Sequence, residues 1–266
     1  MSRMRSINNE GISSIIIIFK SVLLESIRRR EFYAVLVLSL LFILGIFTMS
    51  LIGVENAATA NLLLNLGLTL AWFFAHITVL LSAARQIPED IENKTIYPLL
   101  AKPLKRSGYY IGKWSAVTIM SWISFFVLFI LGWAPVPKMQ IYNTVLLLQT
   151  ILLILFSIAL FTALAMLLSL LFSNGVNILI SGLILVLWAH VNKFFYSRYL
   201  SSRSGKFINW FLAYIPDFSK LNLITRYTDG IGSLSFAQLA GLLFYAVLFI
   251  IVLLSLGMAV FEKKSI

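Results

Sequence analysis

Residues able to do chemistry are scarce inside the long apolar runs of this chain. His76 is the one titratable side chain well within such a run, and His190 lies near the end of another. Ion-driven transporters and intramembrane enzymes keep ionisable groups in their membrane spans. A zinc site needs several His, Cys or carboxylate ligands, and the chain has no cysteine. We therefore interpret His76 as a packing residue rather than a proton relay, and expect neither a bound metal nor catalytic residues.

One segment comes near a nucleotide-binding motif, and it reads GYYIGKW from Gly108 to Trp114. A phosphate-binding loop needs four residues between its glycines and a Ser or Thr after its lysine. This segment has three residues between the glycines and Trp114 after the lysine. We expect the chain to bind no cofactor, so any ATP and magnesium must be held by another subunit.

The elements that position these residues are apolar helices. Of 266 residues, 60% are hydrophobic and 12% charged, with a mean hydropathy of +0.95, far from the usage of globular domains. Uncharged runs long enough to cross a bilayer as helices cover residues 32–53, 61–84, 114–133, 144–172, 176–192 and 236–261. The sequence therefore predicts an all-α integral membrane protein with six transmembrane helices in one domain, residues 1–266.

Residues 12–30 precede the first of these runs and have an amphipathic pattern. Ser14, Ser21 and Glu25 fall on one stripe of a helix, opposite a set of isoleucines and leucines. This pattern is typical of a helix lying in the membrane interface. The alternative is a soluble arm that acquires the pattern by chance.

Basic residues indicate how the chain is oriented. Most of the 21 Lys and Arg lie in the termini and in residues 85–113, and cytoplasmic loops of membrane proteins carry the excess of such residues. We expect both termini and the 85–113 loop in the cytoplasm and the 193–235 loop outside, although the latter is itself basic. The net charge of +11 predicts contact with anionic lipids rather than with nucleic acid.

The 85–113 loop has the features of a protein-docking element. Pro88 is expected to begin a short helix, with carboxylates in its first turn, and Pro98 is expected to end it. The apolar pair Leu99 and Leu100 stands between prolines and is followed by basic residues. The alternative is a loop that only contacts anionic headgroups, which would explain the charges but not the leucine pair.

These residues resemble a motif of the ABC type-2 transporter permeases, including the branch of the nitrous-oxide-reductase maturation permease. The family has an acidic start, a Thr, a Leu pair, a Pro, an Arg and a Gly-Lys ending. The matching residues here are Glu89, Thr95, Leu99, Leu100, Pro103, Arg106, Gly112 and Lys113. The segment from Tyr214 to Asn222 also resembles the family's region before the last span, with Asp217 where asparagine is commoner.

The resemblance implies the permease subunit of an ABC exporter in a bacterial inner membrane. In that family the loop between spans two and three is a coupling helix that docks on a cytosolic ABC ATPase, and two permeases pair with two ATPases. The cargo would be amphipathic or lipid-linked. The alternative is a non-transporting membrane scaffold or assembly factor that docks a cytosolic partner.

The 193–235 loop is expected to hold a re-entrant or surface helix over residues 207–215. Its aromatic and basic residues admit two interpretations: an aromatic belt at headgroup level, or an outer gate for an anionic, lipid-like cargo. The residues concerned are Arg198, Arg203, Lys206, Trp210, Tyr214 and Pro216.

Overall fold

The computed structural model describes residues 30–51, 57–92, 106–133, 143–198 and 216–263. Within these ranges the chain forms seven α-helices and one short 3₁₀ helix. The α-helices are α1 (Arg30–Leu51), α2 (Ala57–Glu92), α3 (Arg106–Trp133), α4 (Thr144–Leu171), α5 (Asn174–Arg198), α6 (Ile224–Thr228) and α7 (Phe236–Lys263). The 3₁₀ helix, Phe218–Leu221, lies between α5 and α6. The predicted helices over 12–30 and 207–215 fall outside the described residues, apart from Arg30, which begins α1.

Four of these helices, α2, α3, α4 and α7, are long and apolar enough to cross a membrane. Shorter apolar stretches occur in α1 (Leu36–Gly45) and in α5 (Asn174–Val186). In the described ranges the structure thus confirms the all-helical prediction, and the length and composition of these helices support a membrane-embedded chain. The full set of six spans stays a prediction.

The ends of α2 and α3 differ from the predicted boundaries. Residues 85–92 and 106–113, expected in a loop, are helical, and α2 continues through Pro88 to Glu92 instead of a new helix starting at Pro88. A proline inside a helix removes one backbone hydrogen bond. Here Ile87 is fully buried and Asp90 bonds to α3, so tertiary contacts on both sides of Pro88 keep this turn helical.

Helix α2 is central, because it packs against α1, α3, α4, α5 and α6, while α7 covers α3 and α4. The α2–α3 crossing is close where two glycines meet: a Cβ on Gly67 would lie 3.5 Å from the carbonyl oxygen of Gly132. Small residues allow such an approach between membrane helices.

Polar residues are buried on α4, where Thr150 and Thr162 donate to the carbonyls four residues earlier, as hydroxyls in apolar helices usually do.

Hydrogen bonds between distant segments define the two ends of the bundle. At one end Asn65 bonds to Thr228, and the Gln149 side chain both donates to the Leu234 carbonyl and accepts from its N–H. At the other end Asp90 bonds to α3, and α3 bonds to the last turn of α7. We call these the Asn65 end and the Asp90 end. The helices that connect them alternate in direction.

Candidate functional site

The predicted docking residues divide between the flanks and the middle of one loop. Glu89 lies near the end of α2, and Arg106, Gly112 and Lys113 lie at the start of α3. Thr95, Leu99, Leu100 and Pro103 belong to the 93–105 loop, which lies outside the described residues. The structure thus brings together the two flanks of the predicted docking loop at the Asp90 end.

A buried charge cluster joins these flanks. The Lys113 ammonium group donates to the Asp90 carboxylate and, at 2.8 Å, to the Gln86 carbonyl. The Tyr109 hydroxyl donates to the same carboxylate oxygen. Lys113 is 3% exposed, and a buried charge persists only when it is paired and hydrogen-bonded. The cluster fixes the last turn of α2 against the first turns of α3.

The start of α3 is also attached to the end of α7. The Tyr109 ring stacks on Phe261, with 5.8 Å between ring centroids, and the buried Tyr110 ring rests on Gly257. Arg106 donates Nη1–H to the Glu262 carbonyl at 3.1 Å. Cations are favourable near unpaired carbonyls at a helix C-terminus. Three helix ends, those of α2, α3 and α7, are therefore held as one unit.

Two of the predicted docking residues have partners inside the bundle. Arg106 and Lys113 contact neighbouring helices, Gly112 is buried and Glu89 is half-buried. Asp90, Gln86 and Tyr109 are the partners that sequence reasoning did not identify. One signal for Asp90 was available: this acidic residue follows the run 61–84 and Lys113 immediately precedes the run 114–133, on the same predicted side of the membrane.

The residues of the predicted outer gate or belt lie at the Asn65 end or outside the described residues. Arg203, Lys206, Trp210 and Tyr214 are outside the described residues, and Arg198 is the last residue of α5. Pro216 is buried and leads into Asp217. The structure therefore leaves both the belt and the gate as predictions.

Asp217 and its neighbours attach the 216–235 segment to the bundle. The Asp217 carboxylate caps the 3₁₀ helix by accepting the Ser219 N–H at 3.0 Å, and the Asp217 N–H donates to the Tyr245 hydroxyl at 2.7 Å. In α6, burial raises the pKa of Tyr227, so its hydroxyl carries no charge at physiological pH. The described part of the predicted outer loop is thus docked on α7 and α2.

His76 occupies the middle of the bundle. Its Nδ1 lies 2.8 Å from the Trp72 carbonyl oxygen and its Nε2 lies 3.2 Å from Ser157 Oγ, with Phe161 alongside. Both ring nitrogens have partners, which favours the packing interpretation. Within the described ranges, no group of three or more His, Asp or Glu residues could hold a metal ion.

Comparison of the sequence with protein-family models and with curated proteins finds no match. The resemblance to ABC type-2 permeases therefore rests on the motif residues between 89 and 113 and on the segment 214–222.

Proposed function

We propose that this chain is the membrane-spanning subunit of an ABC exporter, with the 93–105 loop as its contact with a separate ATPase. The observation that supports this proposal is the buried Asp90–Lys113 ion pair. It lies at the base of the loop, between the last turn of α2 and the first turns of α3. A loop that transmits motion from a partner needs its two flanking helices to be held rigidly together, as this ion pair holds α2 and α3.

The contacts at the base of the loop determine which helices a docked partner could displace. Asp90, Lys113 and Tyr109 connect α2 with α3, and Arg106 connects α3 with α7. Displacement of the loop by an ATPase would therefore shift three helix ends together. Two copies of the chain would pair with two ATPases, and the cargo would be amphipathic or lipid-linked.

The finer topology is part of this proposal. Helices α1 and α5 have 22 and 25 residues, which at about 1.5 Å per residue is enough to cross a hydrocarbon core of roughly 30 Å. With α2, α3, α4 and α7 they make six spans. The Asp90 end and both termini then face the cytoplasm of a bacterial cell, and the Asn65 end faces outward.

The leucine pair in the loop gives the test. The tagged chain would be purified from the membranes of its own host, and magnesium-dependent ATP hydrolysis would be measured in the sample. The chain has no phosphate-binding loop, so under this proposal the activity comes from a bound partner. Changing Leu99 and Leu100 together to Asp is expected to remove at least about nine-tenths of it, since charges in an apolar anchor abolish docking.

Ile231→Asp is the matched control, because Ile231 is an exposed apolar residue at the Asn65 end. This variant should retain the activity, and both variants should elute from gel filtration as the wild-type chain does. Full activity in a folded Leu99→Asp, Leu100→Asp variant would contradict the proposal. A bound ATPase whose hydrolysis rate is the same with and without the chain would favour the scaffold instead.

A further inference from the structure

A cavity of about 470 Å³ lies at the Asn65 end, between the first turns of α2 and the end of α6. It is lined by Leu62, Asn65, Leu66, Thr228 and Asp229. Its volume lies within the range of roughly 300–1,000 Å³ found for small-molecule sites. Asn65 and Asp90 are both on α2, and their separation in sequence corresponds to roughly 40 Å of helix. The cavity is therefore independent of the cluster at the Asp90 end.

Hydrogen bonds fix the orientation of the Asn65 amide in this cavity. Its Nδ2 donates to Thr228 Oγ1 at 3.0 Å, and Thr228 donates its own hydrogen to the carbonyls of Ile224 and Thr225. Thr69 donates to Asn65 Oδ1 at 3.1 Å. An amide oxygen accepts two hydrogen bonds, so Oδ1 can accept one more from a ligand.

Asp229 supplies a negative charge to the same cavity. Its backbone N–H ends α6 by donating to the Thr225 carbonyl, whereas its carboxylate is exposed. In the part of the chain that the structure describes, this carboxylate has neither an ion pair nor a hydrogen bond. Arg226, one turn earlier, donates Nε–H to the Gly232 carbonyl instead. The lining of the cavity therefore includes a carboxylate and an amide oxygen that can each accept a hydrogen bond from a ligand.

The remaining wall is apolar and faces outward from the bundle. Leu62 and Leu66 are one turn apart on α2 and are 55% and 41% exposed. A hydrocarbon chain can lie along them while its polar head reaches Asp229. An anionic head would be repelled by the Asp229 carboxylate. A quaternary ammonium head is usually held by aromatic rings, and the described residues of this lining include none.

We propose that this cavity binds the primary ammonium head of an amphiphile whose hydrocarbon chain lies along Leu62 and Leu66. The ammonium group has three N–H donors, which match the Asp229 carboxylate and Asn65 Oδ1. This site does not depend on the proposed function. Its ligand is opposite in charge to the anionic cargo considered for the 193–235 loop.

A photoreactive twelve-carbon primary alkylamine, with a diazirine in its chain, tests the site. The full-length chain in maltoside micelles would be irradiated with this probe, and labelled peptides that contain Leu62 and Leu66 would be quantified by mass spectrometry. Saturable labelling is expected. Asp229→Asn should reduce it about tenfold, because it removes a charge-assisted hydrogen bond.

Three controls make the outcome decisive. Glu262→Gln removes one exposed carboxylate at the Asp90 end and should label as the wild-type chain does. The matching twelve-carbon alcohol should label the wild type no more than the amine labels Asp229→Asn. Leu66→Trp keeps the carboxylate but fills the cavity and should also lose labelling, which decides the matter if Asp229→Asn does not fold. Undiminished labelling of either folded cavity variant, or equal labelling by alcohol and amine, would overturn the proposal.

Discussion

Lys113 shows how one buried charge can hold the ends of two helices together. Its ammonium group contacts the carboxylate of Asp90 and the carbonyl of Gln86, and Tyr109 completes the cluster. Replacing buried ion pairs by apolar residues is often harmless, whereas removing one partner leaves the other charge without compensation. The cluster is therefore better tested by a pair of substitutions than by one.

We predict that Lys113→Met lowers the free energy of unfolding by about 3–5 kcal/mol, because the cluster loses its cation and the Asp90 carboxylate loses its ion pair. The double variant Asp90→Asn, Lys113→Met should lose less than Lys113→Met alone. Unfolding by dodecyl sulfate in mixed micelles measures both. Lys220→Met is the control: Lys220 is 55% exposed and lies 4.0 Å from Asp217, so its loss should cost less than about 1 kcal/mol. A double variant that loses as much stability as Lys113→Met alone, or more, would contradict the coupling.

Gly257 gives a second prediction at the residue scale. A Cβ there would lie 2.9 Å from Cε1 of the buried Tyr110 ring and closer still to the end of that ring. Tyr110 is fully buried, so its ring cannot move aside without displacing neighbours. Gly257→Ala should cost about 1–3 kcal/mol of stability, as overpacking usually does, when measured by the same unfolding titration.

Gly241→Ala is the matched control on the same helix, because nothing lies within 4 Å of its would-be Cβ. Alanine is a better helix former than glycine by about 1 kcal/mol, so this variant should be neutral or stabilised. Destabilisation of both variants to the same extent would indicate a general effect on α7 rather than contact with Tyr110.

At the scale of elements, the apolar runs predicted the middles of the helices but not all of their ends. The runs 61–84 and 114–133 lie inside α2 and α3, yet both helices continue into charged residues. Arg85, Gln86 and Asp90 look like loop residues when α2 is considered alone. This end of α2 is helical because it packs on α3, where Lys113 donates to the Gln86 carbonyl and the Asp90 carboxylate. Those contacts depend on the register of α2 against α3.

The two sites differ in how much the sequence could reveal. The sequence predicts residues 85–113 as a functional region, because charge and proline interrupt an apolar sequence there. The cavity at the Asn65 end was not predicted, because it joins Asn65 to Thr228, which are 163 residues apart. Neither residue belongs to a recognisable motif in the sequence around it, so only the packing of α6 on α2 reveals the site.

At the scale of the whole molecule, the absence of native cysteines allows single introduced thiols to report topology. Ser233 is exposed in the segment before α7, and Ser173 is exposed between α4 and α5. Six spans with a cytoplasmic Asp90 end place Ser233 outside and Ser173 inside. In intact cells, an impermeant maleimide should label Ser233→Cys and leave Ser173→Cys unlabelled.

Permeabilised cells provide the control, since both thiols should then react. Labelling of Ser173→Cys but not Ser233→Cys in intact cells would invert the orientation. Labelling of both would show that α5, the long helix between these residues in the chain, does not place them on opposite sides of the membrane.

The bond pair between Gln149 and Leu234 has a consequence for where α7 begins. The side-chain amide of Gln149 exchanges two hydrogen bonds with the main chain of Leu234, at 3.0 and 2.9 Å, as the peptide groups of two antiparallel strands do. The Gln149 side chain on α4 thereby makes the two hydrogen bonds that a neighbouring β-strand would otherwise make with Leu234. The N–H and carbonyl of Leu234 therefore need no water. An unpaired backbone group inside the membrane is costly, so this pairing allows α7 to begin within the membrane rather than in bulk solvent.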